Sequence, residues 1–149
     1  YRCGAVWSQL EAAGVPEIKG VWAHEAGGSR FWLTVAIKQL YGGHAKQAGL
    51  IASQCLAGAY CNRWTVVVDE DIDITNMNEV MWAYLTRGRV DTRVMVLDDV
   101  PGFYRDPHKD FWGRIGIDAT MPLDRKDEFI RKSVPGVDEI NLKDYVQLK

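Results

Sequence analysis

The stretch RWTVVVDEDIDITNMNEVMWAYLTRGRVDTRVMVL, from Arg63 to Leu97, decides the fold. It opens with Arg63–Val68, a continuous β-branched run of the kind found in strands buried on both faces of a sheet. From Asn76 to Arg87 the period changes. Met77, Val80, Met81, Tyr84 and Leu85 fall at i, i+3, i+4, i+7 and i+8, one face of a helix. Asn76 and Glu79 have capping-box spacing, and Gly88 is a natural stop. Arg93–Leu97 then returns to a strand-length apolar run that reads as another buried strand.

Working outward, Phe31–Lys38 (FWLTVAIK) is an earlier apolar strand, and Gly42-Gly43 opens a helix expected from His44 to Tyr60. One stripe of that helix, Ala45, Ala48, Ala52, Cys55 and Ala59, is small throughout, so it can lie close against a sheet. Residues 5–13 read as a short helix stopped by Gly14 and Pro16, and Ile18–His24 as a short strand. Downstream, Arg114–Asp118 reads as a strand, Asp124–Lys132 as a charged helical stretch and Leu142–Leu148 as a terminal helix. Pro101–Gly113, with four aromatics, reads as an ordered loop, and loops of that length in compact domains are often functional. Strand-helix alternation with short connections predicts an α/β fold: a layered α/β/α domain whose sheet, largely parallel or mixed, is built from β-α-β units.

The 149 residues suit one domain, 47% hydrophobic and 26% charged, which excludes intrinsic disorder. With 18 basic and 20 acidic residues the net charge is -2, so there is no electrostatic footprint for nucleic acid or an anionic membrane. No apolar run approaches the roughly 20 residues of a membrane-spanning helix. Cys3, Cys55 and Cys61 are odd in number and form no C-x-x-C pair, which points to reduced thiols and a cytoplasmic setting. His24, His44 and His108 are scattered singly, without zinc-ligand spacing. Neither a signal peptide nor an initiator Met opens the chain at Tyr1, so a segment of a longer protein is expected.

Open parallel sheets bind ligands at the carboxyl ends of their strands. Here those ends carry Tyr41-Gly42-Gly43-His44, Asp69-Glu70-Asp71 and Asp98-Asp99 leading to Phe103-Tyr104. Acidic ends repel phosphate, and neither dinucleotide nor P-loop glycine patterns occur. Asp69-x-Asp71-x-Asp73 resembles the start of a calcium loop, but its sixth position is Ile74 and its twelfth Val80. The plainer expectation is that these carboxylates end a strand and solvate a turn before the next helix. A receiver-like phosphoacceptor site would need an acidic pair after the first strand, where Lys38-Gln39 stands. His24 and Ser29 flank a double glycine without a nucleophile elbow. His44 reads as a capping or interface residue. Lys46 could hold an anion but is more simply solvated, and the tryptophans read as core or interface.

The ordered strings then become informative. Gly27-Gly28-Ser29-Arg30, Ile37-Lys38-Gln39-Leu40-Tyr41 and Gly43-His44-Ala45-Lys46 are followed by Val66-Val67-Val68-Asp69-Glu70-Asp71-Ile72-Asp73. Val80-Met81-Trp82-Ala83, Thr86-Arg87, Gly116-Ile117-Asp118-Ala119-Thr120 and Pro122 complete the set. Collinear from about residue 5 to residue 125, the set resembles the C-terminal domain of the UbiD-type (3-polyprenyl-4-hydroxybenzoate) decarboxylases. The resemblance implies part of a reversible, non-oxidative carboxy-lyase acting on an aromatic or related unsaturated carboxylic acid. In that family prenylated FMN bonds to the substrate and serves as electron sink while CO₂ leaves. The flavin, its metal ions and the catalytic residues are implied for an N-terminal domain to which nothing here corresponds. For residues 1–149 the resemblance implies oligomer contacts and part of the substrate pocket, with Tyr60 and Phe103 as pocket-facing aromatics. The His24–Arg30 turn, His44 and Lys46 would pack against the other domain or border the pocket, and Val137–Val146 would make an oligomer contact. Two other readings stand beside it: a non-catalytic assembly or dimerisation module, and a receiver-like domain built on Asp69 and Asp98.

Overall fold

In the computed structural model, residues 1–100, 113–132, 134–136 and 140 are described. Strands β1 (Ile18–Ala23), β2 (Trp32–Ile37), β3 (Trp64–Asp69), β4 (Val94–Leu97) and β5 (Arg114–Asp118) form one mixed sheet in the order β1-β2-β3-β5-β4. β2, β3 and β5 run parallel, and the outer strands β1 and β4 run against them. Helices α1 (Arg2–Ala12), α2 (His44–Gln54) and the single turn α3 (Leu56–Ala59) lie on one face, and α4 (Met77–Arg87) on the other. The α/β/α layering is as the alternation predicts.

Each face has its own core. Val6, Leu10, Leu33, Val35, Ile37, Ala45, Ala48 and Val67 fill the α1/α2 side. Ala36, Val66, Val68, Val80, Ala83 and Ile117 fill the α4 side. Ala45, Ala48 and Ala52 of the small stripe are buried in this core, while Cys55 and Ala59 fall beyond the end of α2, and a Cβ on neighbouring Gly49 would stand 3.2 Å from Val67 Cγ2. Asn76 caps α4 by accepting from Asn78 N–H at 3.0 Å, while Glu79 reaches past it to accept from Asp73 N–H at 3.1 Å.

Three expectations are corrected. The helix from His44 does not run to Tyr60. It breaks at Cys55, which is extended at ψ 156. The buried Arg114 guanidinium takes the carbonyls this releases, donating to Ser53 at 2.6 Å, Ala59 at 2.9 Å and Asn62 at 3.2 Å. β4 is not a buried strand but an antiparallel edge, with Val96 65% exposed, because β5 inserts between it and β3. β2-α2-β3 is therefore a crossover between consecutive parallel strands, whereas β3 reaches its parallel neighbour β5 only by way of α4 and β4. The charged stretch after Asp124 forms just a 3₁₀ turn at Lys126–Glu128, since it offers no apolar stripe to bury. The loop from Pro101 to Trp112, with Phe103, and the expected terminal helix lie outside the described residues.

Candidate functional site

At the carboxyl edge of the parallel strands most polar groups bond one another, although the buried Arg87 Nε–H has no partner among the described residues. Asp69, 3% exposed, accepts from Met121 N–H at 2.6 Å. Arg87, also buried, donates to both Asp71 oxygens at 2.8 and 2.6 Å and to Asp69 at 3.4 Å, with its guanidinium 5.1 Å from the Trp82 ring. Burial pushes the Asp69 carboxyl up to about 6 against the pull of the Met121 amide and of Arg87. The hydrogen bonds from Arg87 hold Asp71 below the usual carboxylate range. At the end of β5, Asp118 accepts from Thr120 N–H and Oγ1–H, and Arg93 donates to the Thr120 carbonyl at 2.6 Å. Gln39 donates to Thr120 Oγ1 and the Met121 carbonyl, and Lys126 to the Gln39 carbonyl. The β5 end thus joins this edge, which the sequence did not reveal. Asp98 does not, because β4 runs antiparallel and delivers it to the opposite edge. The acidic pair of a phosphoacceptor is not assembled. Asp73, too, is engaged locally, accepting from Thr75 N–H at 2.9 Å and Oγ1–H at 2.7 Å.

His44 is wholly buried and stacks on Tyr41 at 4.5 Å. Its Nδ1 accepts from Leu40 N–H at 3.3 Å, so the proton sits on Nε2, which donates to the Pro16 carbonyl at 3.1 Å. Burial lowers its pKa. The residue fixes the entry to α2. Lys46 is exposed. His24, 3% exposed, accepts from Ala26 N–H through Nδ1, and its Nε2 has no partner among the described residues. Ser29 is exposed at φ 55 and bonds His24 through the backbone, so the two form no nucleophile–base pair. A Cβ on Gly27 would meet Trp32 Cβ at 2.7 Å, which explains the glycine in this turn.

The amino edge of the parallel strands is different in kind. Trp32 and Trp64, each the first residue of its strand, stack with ring centroids 5.7 Å apart and planes at 10°. Trp22, Phe31 and Tyr60 are all more than a third exposed, Tyr60 at 45%. Trp22 Nε1–H donates to Glu25 at 3.4 Å. Leu97 pairs with Arg114, so the chain from Asp98 to Gly113 departs and re-enters at this edge, where Arg114 also grips the Ala59 carbonyl beside Tyr60. Tyr60 is thus placed with the two anchors of the segment that carries Phe103. The signal for this site was a tryptophan opening each of two successive strands. Exposed rings of this kind can stack on or bury a flat apolar group. Among the described residues, no group of three or more His, Cys, Asp and Glu side chains could hold a metal ion, and no helix is long and apolar enough to cross a membrane.

Comparison with known proteins gives a consistent result. The profile of the 3-octaprenyl-4-hydroxybenzoate carboxy-lyase C-terminal domain matches residues 3–119. The anhydromevalonate phosphate decarboxylase of Aeropyrum pernix is 28% identical over 137 residues, 91% of this chain and 30% of that protein. The structure of the UbiD-class enzyme HmfF from Pelotomaculum thermopropionicum in complex with FMN superposes with a TM-score of 0.83 at 32% identity, over 97% of this chain and 32% of that one. Apo 3,4-dihydroxybenzoic acid decarboxylase (AroY) of Klebsiella pneumoniae superposes at 0.79 with 26% identity, over 92% and 30% respectively. The chain thus spans about a third of the length of these relatives.

Proposed function

Because the chain belongs to the family of 3-octaprenyl-4-hydroxybenzoate carboxy-lyase C-terminal domains, we propose that it serves a decarboxylase acting on an aromatic or otherwise unsaturated carboxylic acid. The reaction is non-oxidative and reversible: the C–C bond to the carboxylate breaks, CO₂ leaves and a proton takes its place. The observation that carries this reading is the superposition on the FMN complex of HmfF, at 32% identity across nearly the whole chain. The substrates that the relatives' names state, an anhydromevalonate phosphate and a dihydroxybenzoic acid, share a carboxylate on an unsaturated carbon framework.

Prenylated FMN and its metal ions do not fit the described residues. The strand ends that would face a flavin phosphate carry Asp69, Glu70 and Asp71, and the glycine entry to α2 is closed by buried His44. The cofactor and the catalytic groups are therefore assigned to an N-terminal domain or subunit, and no chemical step is placed on this chain. Its own contribution is an apolar aromatic wall, Tyr60 and, in the segment outside the described residues, Phe103. That wall covers one side of the acid and excludes water from it. Contacts between copies of the enzyme are a further role, in a cytoplasmic setting.

The test uses the complete natural protein. Purified from its own source, it is expected to carry a flavin with the mass of prenylated FMN. It is also expected to release CO₂ from members of a panel of benzoic, furoic and α,β-unsaturated acids. Absence of both flavin and CO₂ release would overturn the reading.

A further inference from the structure

The turn that carries Tyr60 holds a conformation its own residues do not favour. Between the end of α3 and the start of β3, Cys61 stands at φ 58. A residue with a side chain keeps that left-handed conformation only where its surroundings over-determine it. One side chain grips the turn at both ends. Arg114, the first residue of β5 and 3% exposed, donates to the Ala59 carbonyl at 2.9 Å and to the Asn62 carbonyl at 3.2 Å, on either side of Tyr60-Cys61. It also donates to the Ser53 carbonyl at 2.6 Å. Arg2 reaches α3 as well, but at the Ala57 and Gly58 carbonyls, both before Tyr60. One residue beyond Arg114, Ile115 N–H donates to the Arg63 carbonyl at 2.8 Å, so the start of β5 is tied to both sides of the turn. A different guanidinium nitrogen serves each of the three carbonyls, Nε for Asn62, Nη1 for Ser53 and Nη2 for Ala59. Only the planar fork of arginine can do this, because an ammonium gathers its donors on one atom. Burial, and then the like charges of Arg63 and Arg2, lower the pKa of Arg114, which makes a cation an unfavourable choice for a place that only needed filling.

We propose that Arg114 is a positioning residue for substrate: by bracketing Tyr60-Cys61 from the start of β5, it fixes where the Tyr60 ring stands at the amino edge. The inference rests on the decarboxylase reading above, in which Tyr60 covers one side of the acid. Arg114 is buried and acts through Tyr60 rather than on the acid itself. Its contribution is preorganisation, since a ring already in place loses little freedom when the acid binds.

The experiment is steady-state CO₂ release by the complete enzyme. Arg114→Lys keeps the charge but offers one nitrogen to three carbonyls. It is expected to raise KM for the acid by about tenfold with a smaller change in kcat, as Tyr60→Ala does. The double variant is expected to rise no further, because both changes act through one ring. Arg87→Lys, which loses buried hydrogen bonds at the other edge, controls for destabilisation alone: its melting temperature falls while KM stays unchanged. An unchanged KM in folded Arg114→Lys would overturn the proposal, and so would a double variant in which the two effects multiply. Should Arg114→Lys not fold, a crystal structure of the complete wild-type enzyme with its acid bound decides the matter. It must show Tyr60 against the acid with the Ala59 and Asn62 carbonyls still clasped, and the proposal is lost if either is missing. Failure of the decarboxylase reading is seen separately, as wild-type protein without flavin or CO₂ release.

Discussion

Arg87 carries its charge almost wholly out of water, and what makes that tolerable is the pair of carboxylates it meets, Asp69 and Asp71. Removing one partner of such a cluster strands the other. Arg87→Met is therefore expected to cost about 3–5 kcal/mol in urea denaturation, whereas exposed Arg89→Met changes stability by less than about 0.5 kcal/mol. Asp69 makes the cluster sensitive to pH. Folded, it keeps its proton to about 6; unfolded, it releases it near the usual aspartate value of about 3.9. Its contribution is present in full below about pH 4 and is lost as pH rises through 6. His44, lowered by burial, has the opposite sign: its contribution is present above about pH 6.5 and lost as pH falls. Asp69→Asn removes only the first. The melting temperature of the wild type relative to that variant should fall steadily between pH 4 and pH 7. The three aspartates were visible in the sequence as a strand-end cluster, but the partner of two of them was not, because it lies 16 to 18 residues away. The clue was present in α4: Arg87 continues the buried stripe of Val80 and Ala83, and a charge on the core face of a helix implies a buried counter-charge.

At the scale of elements, the break between α2 and α3 depends on one glycine. A Cβ on Gly58 would collide with the Ala52 carbonyl and press on Cys55 Sγ, neither of which is the free end of a flexible side chain. Gly58→Ala is expected to destabilise by about 1–3 kcal/mol, against less than about 0.5 for Leu56→Ala two residues earlier, both read from denaturant midpoints. The periodicity that disclosed α4 could not disclose this break. The small-residue stripe continues through it unbroken, and the reason for it, Arg114, comes from β5. The sense of β4 was equally hidden. An apolar run of four or five residues suits a central or an edge strand alike, and here the outcome depends on where β5 inserts, which is a matter of topology rather than of local pattern. The stretch after Asp124 failed as a helix for the reverse reason: its charges suit a helical surface, but it has no buried face to oppose them.

For the whole molecule, the collinear motifs made the family legible from sequence, and the fold class followed from alternation. What stayed hidden was which edge is open. The carboxyl edge, favoured by precedent in parallel sheets, is occupied by the Arg87–Asp71–Asp69 cluster, and exposed aromatic surface gathers at the other. Tyr60→Ala in the complete enzyme should raise KM for the acid by about tenfold with a smaller change in kcat, since stacking acts on bound substrate and transition state alike. Steady-state CO₂ release measures it, and an unchanged KM would remove Tyr60 from the pocket.

The reversal of β4 has one more consequence. Because that strand alone among β3, β4 and β5 runs backwards, both stems of the 98–113 connection emerge together, far from the Arg87 cluster. Lengthening, shortening or recomposing the connection therefore leaves the salt-linked end of the sheet untouched. A single antiparallel strand thus divides the sheet into one rim whose loop can be exchanged and another tied across by its own ion pairs.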